Sequence, residues 1–463
     1  IFVLPGLVMI GWWQGFAYWI AAAVCAIGGT LGVMFSVPLR RALVTGSDLP
    51  YPEGVAAAEV LRVGFGSADG AAENAKGLRM IVLGSLTSAG FALLAAMKLA
   101  AAEVATTFRV GAGASGASTS LSMALIGVGH LVGLSVGIAM AVGMLVTWAG
   151  LVPILTAMHG ASGDIAALVD DTFRNDVRFI GAGTIGVAAL WSLLRILGPI
   201  IRGIRAAMAT ADARKSGQAL ELTERDLPIS IVGGTILALL LPIAGLLWVF
   251  AADTAIADGI APVILGTLVY VLVIGVVIAS VCGYMAGLIG ASNSPVSGVG
   301  ILAVLGAALL LVLAYGRGGT VEQTQALIAY AIFTTGIVFS IATISNDNLQ
   351  DLKTGQLVGA TPWKQQVALV IGVVFGSLVI PPVLDLLNAA FGFSGAPNAG
   401  PNALAAPQAA LISALARGVL GDSLNWGLIG FGAVLGGVSI IVDETLGRFG
   451  KMRLPPLCVG MGI

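Results

Sequence analysis

Apolar runs of about twenty residues recur from one end of this chain to the other, and each can cross roughly 30 Å of hydrocarbon as a helix. Spans are expected at Ile1–Ile10 (partial), Trp19–Val37, Leu78–Ala100, Leu121–Met158, Ile180–Gly198, Ile229–Phe250, Val263–Met285, Val296–Leu313, Ala326–Thr343, Val367–Leu387, Trp426–Val442 and from Leu454 onward. A membrane β-barrel would instead alternate apolar and polar residues in segments of about ten. Only 10% of the residues are charged and 58% are hydrophobic, against roughly 25% charged in soluble domains. Too few charges remain to cover a water-facing surface. The expected fold class is an all-α polytopic membrane protein, a bundle of about 12–13 crossings with broken or re-entrant helices. It forms one transmembrane domain over residues 1–463.

Charge placement tests the list of spans. Arg40, Arg41, Arg62, Lys76 and Arg79 load one connection, Arg202, Arg205, Arg214, Lys215 and Arg225 a second, and Arg448, Lys451 and Arg453 a third. Asp164, Asp170, Asp171, Asp253 and Asp258 load two others. The basic connections share one side, the cytoplasmic one, only if Leu121–Met158 crosses twice as a glycine-broken hairpin. The chain then crosses the membrane many times with its basic connections on the cytoplasmic side. Its ends read as cut: it opens on Ile1 inside an apolar run and closes on the start of another span. An internal echo links "GGTLGVMFSVPLRRALVTGSDLPYPEG" to "GGVSIIVDETLGRFGKMRLPPLCVG", each a Gly-Gly helix, a basic turn, then Leu-Pro and a second Pro. Internal repeats are common in secondary transporters, and chance matching of Gly-rich helices is the competing account. The 65 glycines suit helices that pack backbone to backbone in lipid.

Ionisable and amide side chains near such spans are costly and therefore candidates for function. Three stretches carry them. In "SDLPYPEGVAAAEVL" (47–61), Pro50 and Pro52 break the backbone and Glu53 opens a new helix. Glu53 reads either as a first-turn acid matching the helix dipole or as a carboxylate facing a cavity, with Tyr51 beside it as a lining or interface aromatic. In "GLIGASNSPVSGVG" (287–300), Ser292, Asn293 and Ser294 precede Pro295, which starts the next span. They are either ligand-binding groups or a plain capped turn. In "ISNDNLQDLKTG" (344–355), Asp347 and Asp351 are four apart and share a helix face. Asn346, Asn348 and Lys353 complete a cluster that either lines a polar cavity or forms a salt-bridged cytoplasmic loop. His130, inside an apolar run, is either a proton relay or a hydrogen-bonded packing residue. Asp385, Asp443 and Glu444 are expected at interfaces.

Enzymes are not indicated. The two histidines stand outside any HExxH pattern, the three cysteines (Cys25, Cys282 and Cys458) stand alone, and no GxxxxGK[ST] occurs. No basic-aromatic surface suggests nucleic acid. Transport coupled to an ion gradient remains. A channel or passive pore is the alternative, but it would need rings of like residues, whereas the acids here are dispersed singly at helix breaks.

The three polar stretches, in this order, resemble those of bacterial members of the oligopeptide transporter family, which also holds the yellow-stripe-like metal-chelate carriers. The resemblance covers essentially the whole chain. It implies proton-coupled uptake of short peptides or metal–chelate complexes by alternating access, with helices missing at both ends. The implied functional positions are Glu53, Asn293 and the Asn346–Lys353 cluster, with Glu53, Asp347 or Asp351 carrying the proton. No cofactor is implied beyond that proton, and a metal would enter only as part of the substrate. The implied partners are the lipid bilayer, the substrate and, if it oligomerises, further copies of the chain. The peptide-branch motifs of eukaryotic members are not visible, which leaves peptide and chelate as alternatives.

Overall fold

The computed structural model describes the chain except residues 1, 66–70, 102, 161–163, 216–220, 293, 295, 398, 401–402, 405, 422–424 and 451. In chain order, α1 (Pro5–Met9) precedes α2 (Tyr18–Leu39), which runs into a π-helical turn over Arg40–Thr45. Then come α3 (Pro52–Phe65), α4 (Ala71–Ala96) and two strands, β1 (Glu103–Val110) and β2 (Gly113–Ser120). The helices continue as α5 (Met123–Val132), α6 (Leu134–Leu145), α7 (Val152–His159), α8 (Ile165–Thr172) and α9 (Arg178–Lys215). The later ones are α10 (Ile229–Ala251), α11 (Ile260–Ile289), α12 (Val296–Tyr315), α13 (Val321–Leu357) and α14 (Pro362–Phe391), then α15 (Pro407–Leu420), α16 (Trp426–Arg448) and α17 (Pro456–Gly462). Among the described residues, ten helical stretches are long and apolar enough to cross a membrane. The all-α polytopic class therefore stands.

Local chemistry sets many of the boundaries. Proline occupies the first helical position of α3, α14, α15 and α17, where its missing N–H costs nothing. The Thr320 hydroxyl accepts from the Gln323 amide (3.1 Å) to cap α13, and the Asp164 carboxylate accepts from Ala166 N (3.0 Å) to cap α8. The two echoing segments behave alike locally, since each restarts a helix on its second proline, Pro52 and Pro456.

Two expectations change. Leu121–Met158 does not form two full crossings. Gly133 (φ 91°) breaks the chain after α5, and α6, a π-helical turn and α7 then run on as a single 26-residue span, Leu134–His159. At 1.5 Å per residue the ten residues of α5 rise only about 15 Å, half of the hydrocarbon thickness. Residues 103–120, unassigned from sequence, form an antiparallel hairpin from Glu103↔Ser120 to Val110↔Gly113, turning at Gly111 (φ 59°).

The described chain clusters into two compact units. The first comprises residues 1–49, 193–287 and 291–425, the second 50–192, 288–290 and 426–463. In the first, α13 is the central element, buried over most of its length and packed on α2. The approach is close because α2 presents Gly28 and Gly32 to it. A Cβ on Gly28 would lie 2.6 Å from Ser340 Cβ and 2.8 Å from the Ile337 carbonyl. One on Gly32 would lie 2.8 Å from the Ile341 carbonyl. Val33, Met34 and Val37 of α2 then form an apolar core with Val232 of α10, flanked by Leu369, Val370 and Val373 of α14. In the second unit, Thr184 of α9 donates to the Gly432 carbonyl of α16 (2.9 Å), and the hairpin packs on α7 through Ala114 and Thr156. Ala114, Val152, Val169 and Val177 form its small core.

Candidate functional site

The first unit holds a cavity of about 340 Å³ walled by α2, α13 and α14 and flanked by Phe2 and Val3. Its α13 wall runs from Gly336 through Phe339, Ser340 and Thr343 to Asp347, Asn348 and Asp351. Its α14 wall runs from Ala368 to Ile380 and contributes Ser377, while α2 contributes Cys25. The lining is mostly apolar, with two carboxylates and an amide gathered at one end. That is the usual make-up of a small-molecule site, and the volume falls in the range such sites occupy.

The carboxylates gather there because α13 does not stop where its apolar run stops. Residues 344–355 remain helical, so the cluster is neither a loop nor a helix break. Helical spacing puts Asp347 and Asp351 one turn apart on the cavity face. The neighbouring positions turn into protein. Ser345 Oγ donates to the Gly32 carbonyl (2.9 Å), and Asn348 Nδ2 donates to Ser36 Oγ (3.4 Å), tying this part of α13 to α2. Asn346 Nδ2 donates to the Ala291 carbonyl (3.1 Å), and Gln350 Nε2 donates to the Ala286 carbonyl (2.5 Å), tying it to the last turn of α11 and the connection that follows. Lys353 Nζ donates to Gln356 Oε1 (3.0 Å).

One helical turn beyond Ser36 on α2, and just before Ala368 on α14, lies a buried ionic cluster. Asp226 Oδ1 accepts from Arg40 Nε (2.6 Å) and Gln366 Nε2 (2.8 Å). Its Oδ2 accepts from Arg40 Nη2 (2.9 Å) and Arg41 Nε (3.0 Å). Four donors fill the four acceptor positions of one carboxylate. Arg41 Nη2 also donates to the Glu224 carbonyl (2.9 Å), and Gln366 Oε1 accepts from Leu227 N (2.8 Å). By the positive-inside rule Arg40 and Arg41 are expected as basic residues of a loop. The structure instead places them on the π-helical turn, with Arg40 only 1% exposed. A buried guanidinium needs such a partner.

The other predicted residues are dispersed. In the first unit, Ser292 and Ser294 lie in the turn before α12, whereas Asn293 lies outside the described residues. In the second, Tyr51 is fully buried at φ 44°, a left-handed conformation uncommon for a non-glycine residue. Burial pushes its phenol pKa well up. Glu53 opens α3 and packs on Gly290, where an added Cβ would come within 2.9 Å of its Oε1. His130 is exposed on the last turn of α5. Asp443, expected at an interface, is buried, with Arg453 Nη1 3.9 Å away. The sequence reading missed Cys25, Ser340, Thr343 and Ser377 as lining residues. Only the helical phase of α13 and α14 relative to Asp347 could have pointed to Ser340, Thr343 and Ser377.

Span-length helices and a polar-ended cavity define a multi-pass membrane transporter. The chain belongs to the OPT family: the family model "OPT oligopeptide transporter protein" matches residues 1–463. It is 42% identical over 481 residues to a Haemophilus influenzae protein named "Putative oligopeptide transporter", covering 100% of this chain and 74% of that one. More distant relatives are a rice protein named "Probable metal-nicotianamine transporter YSL12" and an Arabidopsis thaliana protein named "Probable metal-nicotianamine transporter YSL8". The first is 24% identical, covering 85% of this chain and 55% of the relative; the second is 26% identical, covering 94% and 61%. These are transporters, not enzymes.

Proposed function

We infer that the chain carries short peptides or metal–chelate complexes into the cell across a bacterial inner membrane, driven by protons and working by alternating access. The observation that carries this reading is the first-unit cavity, apolar along its walls and ending in Asp347, Asn348 and Asp351. Apolar walls take the body of a cargo molecule, and the polar end supplies hydrogen bonds in place of its lost water. A carboxylate at membrane depth is expensive while charged and far cheaper once protonated. Proton uptake at Asp347 or Asp351 therefore lowers the cost of turning the loaded site from one side to the other. Glu53 is the remaining candidate for the proton. Both cargo classes follow from the relatives' names, and a metal enters only as part of its chelate.

Uptake by the full-length protein in liposomes, with an imposed pH gradient, tests the proposal on labelled peptides beside iron, nickel and copper chelates. Accumulation of either class, saturable and abolished when the gradient is collapsed, is the expected result. Asp347→Asn and Asp351→Asn should flatten its pH dependence. If Asp347→Asn, Asp351→Asn and Glu53→Gln all leave gradient-driven uptake intact, the proton role is wrong. A leak indifferent to pH and unsaturable would make the protein a pore.

A further inference from the structure

Behind the cavity wall, two buried side-chain oxygens have no hydrogen-bond partner among the described residues. Asn346 is 2% exposed. Its Nδ2 donates to the Ala291 carbonyl (3.1 Å) and lies 3.3 Å from Asp347 Oδ1. Among the described residues its Oδ1 has no hydrogen-bond partner, and neither has Ser294 Oγ, which is also buried. Both groups are anchored on one carbonyl, since Ser294 N donates to Ala291 O (3.2 Å). Rotating the Asn346 amide does not relieve the problem. It would aim the oxygen at two acceptors, Ala291 O and Asp347 Oδ1, and take from both the N–H they now receive.

Buried acceptors are almost always paired, and leaving one bare costs the full desolvation of that group. The chemistry of the missing partner follows from what surrounds it. The two orphan oxygens can accept hydrogen bonds, and the adjacent carboxylate adds negative charge. An anion would be repelled by Asp347, and a second carbonyl could take the Ser294 hydroxyl proton but offers nothing to Asn346 Oδ1. A primary ammonium offers three N–H donors and a positive charge, matching Asn346 Oδ1, Ser294 Oγ and Asp347 in number and in sign. Asp347 also joins the two places, because it lines the cavity while its Oδ1 sits against the Asn346 amide.

We propose that Asn346, Ser294 and Asp347 form a subsite for the primary ammonium group of the cargo, at the polar end of the first-unit cavity. The subsite rests on the reading of the protein as a carrier of peptides or amine-bearing chelates, and deepens it by naming the group that is recognised. The body of the cargo lies along α13 and α14, and its ammonium end is drawn past Asp347 to the two waiting oxygens. Blocking that amine removes both the charge and two of its three donors. Amine-capped cargo therefore fits the cavity walls and fails at this end.

The test is competition against labelled trialanine uptake by the full-length protein in liposomes, using unlabelled trialanine and N-acetyl-trialanine. Charge-assisted hydrogen bonds imply that the free amine competes better by at least about tenfold in the wild type. Asn346→Leu should pull that ratio toward one while the weak competition by the acetylated peptide stays unchanged. Ser294→Ala should lower the ratio partly, which keeps the test open if Asn346→Leu does not fold. Asn346→Asp, which keeps an acceptor and adds charge, should hold or raise the preference, a gain that a packing role would not produce. The subsite is overturned if Asn346→Leu and Ser294→Ala leave the ratio intact, or if both competitors weaken in parallel. It is also overturned if the preference vanishes when sodium is replaced by choline, since the oxygens then hold a metal ion. Wild-type protein that accumulates neither peptide nor chelate would instead sink the underlying carrier reading.

Discussion

Replacing Asp226 by Ala should destabilise this protein more than almost any other single change outside the apolar core. The substitution leaves Arg40, 1% exposed, with a buried charge and no buried carboxylate to answer it. Removing one partner of a buried ion pair costs about 3–5 kcal/mol, a large share of the 5–15 kcal/mol that typically separates folded from unfolded. Little else can compensate. Glu224 Oε2 is 3.4 Å from Arg40 Nη2, but its side chain is 42% exposed, so water screens the pair. Arg41 retains its bond to the Glu224 carbonyl, and Gln366 its bond from Leu227 N. The pair itself should be worth far less than its disruption, so Arg40→Met with Asp226→Leu should recover most of the loss. Thermal unfolding in detergent can be followed with a thiol-reactive dye, since Cys282 and Cys458 are buried and react only on unfolding. Cys25→Ser removes the one partly exposed thiol from the signal. Asp226→Ala should lower the midpoint by several degrees. A midpoint unchanged in Asp226→Ala, or a double variant no better than the single, refutes the reasoning.

Three further outcomes follow. Cys25 lines the cavity, so cargo at ten times its Kd should slow modification of that thiol by about tenfold; a rate indifferent to cargo removes the cavity as the binding place. Gly28→Val should cost about 1–3 kcal/mol by overpacking α2 against Ser340 and Ile337, while Gly64→Val, with nothing within 4 Å of the added Cβ, should fall by less in the same assay. Thr184→Val loses the hydroxyl's bonds to Ile180 O (3.0 Å) and Gly432 O (2.9 Å). Bonds across helices in lipid average about 0.6 kcal/mol, so a loss above about 2 kcal/mol would mean that Thr184 does more than bridge α9 and α16.

Where the sequence speaks through length and hydropathy, it is read correctly. The expected span Ile229–Phe250 is α10 to within a residue, and α12 and α16 start at Val296 and Trp426 as expected. The i, i+4 spacing of Asp347 and Asp351 sufficed to place both on one wall. Polarity misled elsewhere. The amides after Thr343 suggest a helix break, yet helix continues to Leu357, because Ser345, Asn346, Asn348 and Gln350 find partners on neighbouring segments instead of water. Arg40 and Arg41 illustrate the same limit, for a tertiary partner 186 and 185 positions away decides whether a basic pair is solvated or buried. The hairpin escaped notice because β2, GASGASTS, has almost none of the β-branched and aromatic residues that mark strands. Its partner EVATTFRV, followed by Gly111, did carry that signal.

The glycines of α2 carry a mechanical consequence. With Gly28 and Gly32 seated against α13, the two helices have no slack between them, and any displacement of one must carry the other. Rocking that parts them would open a void that lipid and water fill poorly. The opposite wall is built otherwise. Helix α14 contains Pro381 and Pro382, where backbone bonds are missing and a helix bends most easily, and it follows Gly359 at φ 73°. Towards its start it is held by Gln366 on Asp226, by Gln365 on the Asp351 carbonyl and by Val373 against Gly29 of α2, so bending is left to the part at its prolines. If the cavity opens by movement of one wall, the prolines of α14 are where that wall gives, while α2 and α13 stay together.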